Sequence, residues 1–304
     1  MNQLSRSAKK WNEETDLERW ETHYYEDNYN GHRLRSRETR VLQFLDSLRL
    51  PKNAKILELG YGAGMTSAKI YQRGFNLIGI DISNKLQKIA TKNCQKVTPQ
   101  NKATFKFQVG NAEQLDFPDN TFDCVIGLGF IHYLARPITC IKEAKRVLKP
   151  NGHFIITQRN MYGISSIDGP VKWVRSLYYL ITNRRYELRW QDTHLIYPFL
   201  TFAYFIAPFS KRMRKMKFDL KQHQKIGLVP KTTISHNRLK KMIQQANLKI
   251  IKTGGAGYLT KKNKLFPKTA KRIDQKLQKI SNKKRNTFLH KIGNSVVFLA
   301  KKEQ

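Results

Sequence analysis

Hydrophobic and polar positions along residues 54–158 alternate between strand-like and helix-like stretches. Short apolar runs with the composition of buried strands are separated by turn signals or by helical patterns. The predicted strands lie near residues 54–59, 76–81, 104–109, 122–127 and 152–158, and the predicted helices near 64–73, 84–97 and 137–149. Strands that alternate with helices in this way predict right-handed crossovers and a parallel sheet, and therefore an α/β fold.

The residues that precede the first strand predict two helices. An aromatic and acidic segment from Lys10 to Arg35 is predicted to be helical and to loop at residues 28–31. A second helix, from Arg37 to Leu50, is amphipathic and ends before Pro51. Its apolar face consists of Val41, Leu42, Leu45 and Leu48. We interpret residues 1–50 as an N-terminal helical cap.

The alternation breaks off after Asn160. Residues 160–230 are aromatic and basic, and we expect them to form a helical, lid-like insertion. A helix from Ser235 to Ala246 and strands from Leu248 to Thr253 and from Asn294 to Ala300 then complete the sheet. The predicted organisation is therefore the cap followed by one domain, residues 51–304, that carries the insertion.

The most informative stretch runs from Ile56 to Gly64, where an apolar strand leads into three glycines at alternate positions. Glycines let a ligand lie against bare backbone at the carboxyl end of a parallel strand. The next predicted strand ends in Asp81, and a carboxylate there can accept two hydrogen bonds from a ribose diol. Together these features predict an adenosine-containing cofactor. A dinucleotide fingerprint, G-x-G-x-x-G, fails at Met65 and, starting two residues later, at Ser67.

The G-x-G-x-G pattern, preceded by Glu58, resembles motif I of the class I S-adenosylmethionine-dependent methyltransferases, and within them the small-molecule, type 11 branch. Residues 79–83, 110–123 and 146–153 resemble further motifs of that family in the same order, so the resemblance covers residues 50–160 closely. It implies a Rossmann-like, doubly wound sheet of seven mostly parallel strands, with the last strand inserted antiparallel beside the fifth. It also implies S-adenosyl-L-methionine as the cofactor and methyl transfer as the activity.

The resemblance assigns cofactor contacts residue by residue. The backbone of Gly60, Gly62 and Gly64 would approach the methionine and ribose moieties, and Asp81 would accept from both ribose hydroxyls. The other expected contacts are Glu58 with the amino group, Ile82 beside Asp81, Asn111 with the adenine amino group, Ala112 through its N–H, and Gly127 through its carbonyl. Asn111 stands where the family usually has Asp, so its amide oxygen would accept without a charge.

His132 follows the fourth predicted strand, where substrate and methyl group meet in related enzymes. A neutral imidazole there is a candidate base for a hydroxyl nucleophile, although a packing histidine is the simpler interpretation. Methyl transfer needs little acid–base work, because positioning a nucleophile in line with a cationic sulfonium does most of the catalysis, and no metal is expected. Tyr25 or Tyr29 either closes over the cofactor or packs at the edge of the sheet.

The net charge of +35 is concentrated toward the end of the chain. Residues 1–50 are neutral, residues 51–150 carry +8 and residues 151–304 carry +27, including a lysine-rich stretch at 261–291 that we read as a surface helix. Such a field favours anionic partners, namely nucleic acid, an acidic membrane surface or a phosphorylated substrate. A general lysine bias of the coding sequence explains the charge equally well.

Cysteine usage and apolar run lengths indicate the compartment. Cys94, Cys124 and Cys140 form no metal-like pair, which predicts reduced and mostly buried residues. The first twenty residues lack the apolar core of a signal peptide, and no stretch reaches the ~20 apolar residues of a membrane-spanning helix. We therefore expect a cytoplasmic protein. The apolar segment 195–209 and the basic run 211–217 are interpreted as a substrate lid, a core helix or a peripheral membrane anchor, in that order.

We expect the acceptor to be a small or lipid-linked molecule, with an anionic one included. One alternative is an RNA methyltransferase that uses the basic half for phosphate contacts, although no separate RNA-binding module is evident. Another is a catalytically inactive membrane-surface protein that retains the fold. The acceptor atom and the oligomeric state do not follow from the sequence.

Overall fold

The structure of the protein is a computed structural model, which describes part of the chain. The described residues are 10–14, 22, 24–26, 29–159, 234, 236–257, 272, 276, 277, 280, 293 and 295–304. The predicted insertion at 160–230, with its apolar segment and basic run, and most of the lysine-rich stretch at 261–291 lie outside these residues. The division into a cap and one domain stays a prediction.

The described elements follow the predicted alternation closely. The helices are α1 (Tyr29–Ser47), α2 (Met65–Gln72), α3 (Asn84–Gln95), α4 (Pro137–Val147) and α5 (His236–Gln245), with a π-helical turn at Lys10–Glu14 and a 3₁₀ turn at Ile131–Tyr133. The strands are β1 (Lys55–Leu59), β2 (Asn76–Asp81), β3 (Phe105–Val109), β4 (Phe122–Leu128), β5 (Leu148–Arg159), β6 (Lys249–Ala256) and β7 (Ser295–Lys301).

The strands form one seven-stranded sheet in the order β3-β2-β1-β4-β5-β7-β6. Strands β1 to β5 pair in parallel, whereas β7 lies antiparallel between β5 and β6. The predicted Rossmann-like fold, including its antiparallel last strand, is therefore confirmed. The strand order reverses direction between β1 and β4, where Leu59 pairs with Gly127, and such a switch point opens a crevice at the carboxyl ends of the strands.

Helices cover both faces of the sheet, which is why its strands are apolar on both sides. Leu57 and Val125 face the layer formed by α4 and α5. Ile56 and Ile126 face the layer formed by α1, α2 and α3. Neighbouring residues of one strand thus belong to opposite cores, as strand geometry requires. The three cysteines are buried and form no disulfide, as expected.

Two boundaries differ from the prediction by more than three residues. Helix α1 begins at Tyr29, so the loop expected at residues 28–31 is wrong. Gly31 is buried inside this helix, and Arg35 donates hydrogen bonds to the Tyr24 and Glu26 carbonyls, which anchors the preceding segment against it. Such tertiary contacts override the weak helix propensity of glycine and asparagine.

The second difference concerns β5, which begins at Leu148 instead of residue 152. The pairing with β4 jumps from Phe122–Leu148 to Cys124–His153, so the residues between them bulge from the ladder. Asn151 sits in this bulge with a φ of 64°. The chain therefore turns within β5 and not ahead of it. Among the described residues, no helix has both the length and the hydropathy needed to cross a membrane.

Candidate functional site

The glycine loop between β1 and α2 lies at the switch point of the sheet. Gly60, Gly62 and Gly64 have φ values of 70°, 56° and 77°, which are left-handed conformations that favour glycine. A Cβ added at Gly60 would lie 2.6 Å from the Cβ of Phe130. One added at Gly64 would lie 2.7 Å from the Cα of Ala90 in α3. Backbone conformation thus favours glycine at all three positions, and close packing adds to this at Gly60 and Gly64.

Asp81 ties the end of β2 to this loop. One carboxylate oxygen accepts the Gly62 N–H at 3.0 Å, and the other accepts the Ser83 N–H at 3.1 Å. Burial raises the pKa of Asp81, and these backbone hydrogen bonds oppose the rise. Each carboxylate oxygen keeps a lone pair beyond its backbone bond. The group can therefore accept further hydrogen bonds from a ligand while it shapes the loop.

Glu58 lies deeper than expected, at the end of β1 but beneath the loop. Its side chain is 1% exposed and accepts a hydrogen bond from the Ser67 hydroxyl of α2. Burial raises the pKa of Glu58 to about 8, the Ser67 bond opposes this, and repulsion from Glu38 and Asp81 adds to it. Its proposed contact with a cofactor amino group stays a prediction. What the structure adds is a buried carboxyl group that keeps its proton at neutral pH.

Replacing Glu58 with glutamine should change how stability depends on pH. In the folded protein the Glu58 carboxyl holds its proton up to a pKa of about 8, whereas in the unfolded chain it ionises near the ordinary value of ~4.3. The folded state therefore binds more protons between these values, and stability falls as pH rises through that window. We expect Glu58→Gln to gain on the order of 2–4 kcal/mol relative to wild type between pH 5 and pH 8.

Urea unfolding at several pH values measures this difference. Glu143→Gln is a matched control, because the hydrogen bond from Arg146 lowers the pKa of Glu143 and keeps that carboxylate ionised across the same window. A parallel pH profile for wild type and Glu58→Gln would contradict the assignment of a raised pKa to Glu58.

The turn after β3 presents the residues expected at the adenine. The Asn111 side-chain oxygen accepts the Glu113 N–H at 2.9 Å, so the amide shapes the turn and has one remaining acceptor position. Ala112 is buried beside it, and Ile82 is half-buried at the end of β2. The parallel pairing of β2 with β3 brings Asp81 opposite Val109. The structure thus gathers these positions at one edge, although their ligand contacts stay predictions.

The carboxyl end of β4 forms the other side of the crevice. Gly127 lies inside β4, and a Cβ there would be 2.5 Å from the ring of Phe130. The ring of Phe130 therefore lies across both Gly60 and Gly127. His132 follows in the 3₁₀ turn, half-buried, with its ring centroid 4.2 Å from that of Tyr133. His132 packs against an aromatic neighbour, which agrees with the packing interpretation and leaves the base a prediction.

The N-terminal π-helical turn spans the crevice from one side to the other. The Asn12 side-chain oxygen accepts a hydrogen bond of 2.7 Å from the Ser83 hydroxyl, just beyond β2. Trp11 packs edge-on against Tyr133, just beyond β4, at 5.6 Å between centroids. Sequence reasoning considered Tyr25 for a covering role, but Tyr25 is 64% exposed and its hydroxyl lies 3.9 Å from the Met65 sulfur. For Tyr29 only the backbone is described.

A buried polar network connects the N-terminal segment to α1 and α2. Glu38 accepts hydrogen bonds from the Tyr24 hydroxyl, from the Thr66 hydroxyl at 3.2 Å and from the Lys69 ammonium at 2.5 Å. Lys69 also bonds the Tyr24 hydroxyl at 2.7 Å. Sequence reasoning missed this network. Its signal was the clustering of tyrosines and acids before the glycine loop, a pattern too common to assign partners.

The residues around the loop fit a positively charged adenosyl ligand. Within the described residues, no cation is paired with Glu58 or Asp81, and burial raises the pKa of both carboxyl groups. A cationic ligand beside them would stabilise their charged forms, whereas a pyrophosphate would add like charge. The bare glycine backbone and the free acceptor positions of Asp81 suit a sugar.

Comparisons with known proteins agree with this geometry. Residues 57–156 match the family described as "Methyltransferase domain". A 2-methyl-6-phytyl-1,4-hydroquinone methyltransferase from Synechocystis is 37% identical over 114 residues, which are 36% of this chain and 34% of that protein. A demethylmenaquinone methyltransferase from Lactiplantibacillus plantarum is 37% identical over 118 residues, 37% of this chain and 48% of that protein. The chain thus spans less than half the length of these two relatives.

Solved structures extend the likeness beyond the matched segment. Magnesium protoporphyrin IX methyltransferase from Synechocystis PCC 6803, solved with bound SAH, superposes with a TM-score of 0.57 and 12% sequence identity. The superposition covers 99% of this chain and 100% of that one. At such low identity, the likeness concerns the fold alone.

Proposed function

We propose, from the match of residues 57–156 to the methyltransferase domain family, that the chain is a class I S-adenosylmethionine-dependent methyltransferase that acts on a small or lipid-linked acceptor. The observation that carries the proposal is the Gly62–Asp81 hydrogen bond, which joins the left-handed glycine loop to the acid that ends β2. S-adenosylmethionine supplies an electrophilic methyl group on a positively charged sulfur. A nucleophile needs only to be held in line with that methyl group.

The residues of the crevice have separable roles in this proposal. Gly60, Gly62 and Gly64 leave backbone bare for the cofactor, and Asp81 accepts hydrogen bonds from its ribose. The carboxylate of Asp81 favours a cation at the switch point, and a bound cation would lower the raised pKa of Glu58 and favour its ionised form as well. The loss of water around a bound cation strengthens that attraction.

The carboxyl end of β4 is the proposed acceptor side. The ring of Phe130 lies across two glycines of the crevice, and Trp11 packs against Tyr133 beyond the end of β4, so aromatic side chains surround this site. His132 beside this pair is the candidate base for an acceptor hydroxyl. The names of the two relatives, one a phytyl hydroquinone and the other a demethylmenaquinone methyltransferase, support an aromatic acceptor with or without a lipid tail.

Calorimetric titration tests the cofactor part of the proposal. We expect S-adenosylmethionine and S-adenosylhomocysteine to bind at one site and NAD not to bind, because Met65 and Ser67 break the glycine spacing of a dinucleotide site. Binding of NAD or of a flavin dinucleotide, or absence of S-adenosylmethionine binding, would contradict the proposal.

Transfer of a labelled methyl group tests the acceptor class. We expect label in the lipid and small-molecule fractions of a cell extract and none in bulk tRNA. The basic half of the chain would favour the RNA alternative if tRNA binding were tight and weakened steeply with salt. Label confined to RNA would replace our proposal with that one. Binding of the cofactor without any transfer would favour the catalytically inactive protein.

A further inference from the structure

We infer that Arg37 is the receptor for a planar carboxylate of a ligand bound at the carboxyl end of β4. The carboxylate belongs either to the amino-acid end of the cofactor or to the methyl acceptor. The inference rests on the proposed function for the identity of these ligands, but the side-chain geometry of Arg37 carries it independently.

Arg37 is a buried cation without a counterion. Its side chain lies on α1 and the residue is 9% exposed. Its Nε is buried and has no acceptor, and within the part of the chain that the structure describes, no hydrogen bond or ion pair reaches the guanidinium. Leaving a buried charge unpaired is strongly unfavourable, by several kcal/mol in measured cases. Such an arrangement indicates a group that is completed by a ligand.

Two other arginines of α1, Arg35 and Arg40, donate hydrogen bonds to acceptors within the protein. Arg40, one turn further along α1 and fully buried, donates from Nε to the Gly255 carbonyl at 3.0 Å. Arg35 donates to the Tyr24 and Glu26 carbonyls. Glu38, the acid next to Arg37 in sequence, is engaged by other groups, as described above. The protein therefore satisfies the arginines on either side of Arg37 with its own atoms.

The guanidinium of Arg37 lies directly on Gly129, just beyond β4. A Cβ at Gly129 would be 2.2 Å from Nη1 and 2.5 Å from Cζ, so any other residue there would displace the guanidinium from this position. Gly129 also has a left-handed φ of 71°. The sheet places Gly127, two residues earlier, opposite Leu59 at the switch point. Arg37 thus reaches the same end of the crevice as the proposed methyl-transfer site.

The charge of Arg37 persists at neutral pH. Burial lowers the pKa of Arg37 to about 10, repulsion from Arg33 adds to this, and Tyr133 and Glu38 oppose it. The guanidinium therefore remains protonated at pH 7. Its planar fork of donors matches a carboxylate through two parallel hydrogen bonds, which distinguishes a carboxylate from a neutral amide.

Stability separates this role from a structural one. We expect Arg37→Met to leave the unfolding midpoint of the ligand-free protein unchanged or to raise it, because an unpaired buried charge is replaced by an apolar group. Arg40→Met is the matched control, and it should lower the midpoint because it leaves the Gly255 carbonyl without its donor. A midpoint of Arg37→Met that falls as far as that of Arg40→Met would overturn the inference.

Two calorimetric comparisons identify the source of the carboxylate. The first compares S-adenosylhomocysteine with its decarboxylated analogue, and the second compares benzoate with benzamide on protein saturated with S-adenosylhomocysteine. The wild type should prefer the carboxylate in one of these pairs by about 10–100-fold, and Arg37→Met should lose that preference. If Arg37→Met loses the preference in the first pair, the carboxylate bound by Arg37 belongs to the cofactor. If it loses the preference in the second pair, that carboxylate belongs to the methyl acceptor.

If Arg37→Met retains the wild-type preference in both pairs, or if the wild type has none, Arg37 is not a carboxylate receptor. This outcome is distinct from failure of the proposed function, which is recognised by wild-type protein that does not bind S-adenosylhomocysteine at all. Arg73→Gln, which removes an exposed ion pair with Asp46, should behave as wild type throughout.

Discussion

Replacing Asp81 with alanine should weaken S-adenosylmethionine binding by about 1–3 kcal/mol, or roughly 5- to 150-fold. The carboxylate is expected to accept hydrogen bonds from the ribose, and it also holds the Gly62 and Ser83 N–H groups in place. The substitution therefore removes ligand contacts and loosens the glycine loop together. Isothermal titration at pH 7 measures the change in affinity.

Asp46→Ala is a suitable control for this experiment. Asp46 is an exposed aspartate that pairs with Arg73 on the surface, and its loss should leave cofactor affinity unchanged. Asp81→Asn keeps an acceptor oxygen without the charge and should give an intermediate affinity. Unchanged affinity of Asp81→Ala would show that this carboxylate does not touch the cofactor.

Replacing Gly64 with alanine should destabilise the folded protein by about 2–5 kcal/mol. An alanine at a φ of 77° carries left-handed strain, and its Cβ would lie 2.7 Å from the Cα and 2.8 Å from the Cβ of Ala90. Helix α3 must then move away from the loop, because backbone cannot yield as a flexible side chain does. Urea unfolding measures the loss, and cofactor affinity should fall with it.

Gly74→Ala separates conformational strain from the clash. Gly74 has a φ of 86°, but an alanine Cβ there would meet only the side chain of Asn101. Asn101 is exposed, so water can replace its hydrogen bonds with Lys52, Gly74 and Ala103 when it shifts. We expect a loss of only about 1–2 kcal/mol and unchanged cofactor affinity. Equal losses in the two variants would mean that close packing of the loop on α3 contributes nothing.

The raised pKa values of Glu58 and Asp81 and the unpaired Arg37 fit a ligand that carries both a positive and a negative charge. Among the residues described, no cation pairs with Glu58 or Asp81, and no anion pairs with the Arg37 guanidinium. A zwitterionic amino-acid end attached to a sulfonium would satisfy both the carboxyl groups and the guanidinium.

The sequence alone was sufficient for the features that depend on local pattern. Alternating apolar runs and helices predicted the parallel sheet, and the three glycines with Asp81 predicted the switch-point loop, because a strand end and a left-handed turn are encoded within a few neighbouring residues. The strand composition of residues 294–300 was enough, with the family resemblance, to predict antiparallel pairing beside β5.

Tertiary structure decided the features that depend on partners distant in sequence. The start of α1 at Tyr29 and the bulge in β5 are set by contacts that no local pattern contains. Glu58 was predicted at the strand end, but only the folded chain buries it against Ser67 and raises its pKa. The sequence does not distinguish Arg37 from the other basic residues. Only the folded chain places its guanidinium on Gly129 without an ion-pair partner among the described residues. Burial and charge pairing are sums over the whole packed molecule, whereas backbone conformation is a preference of each short segment.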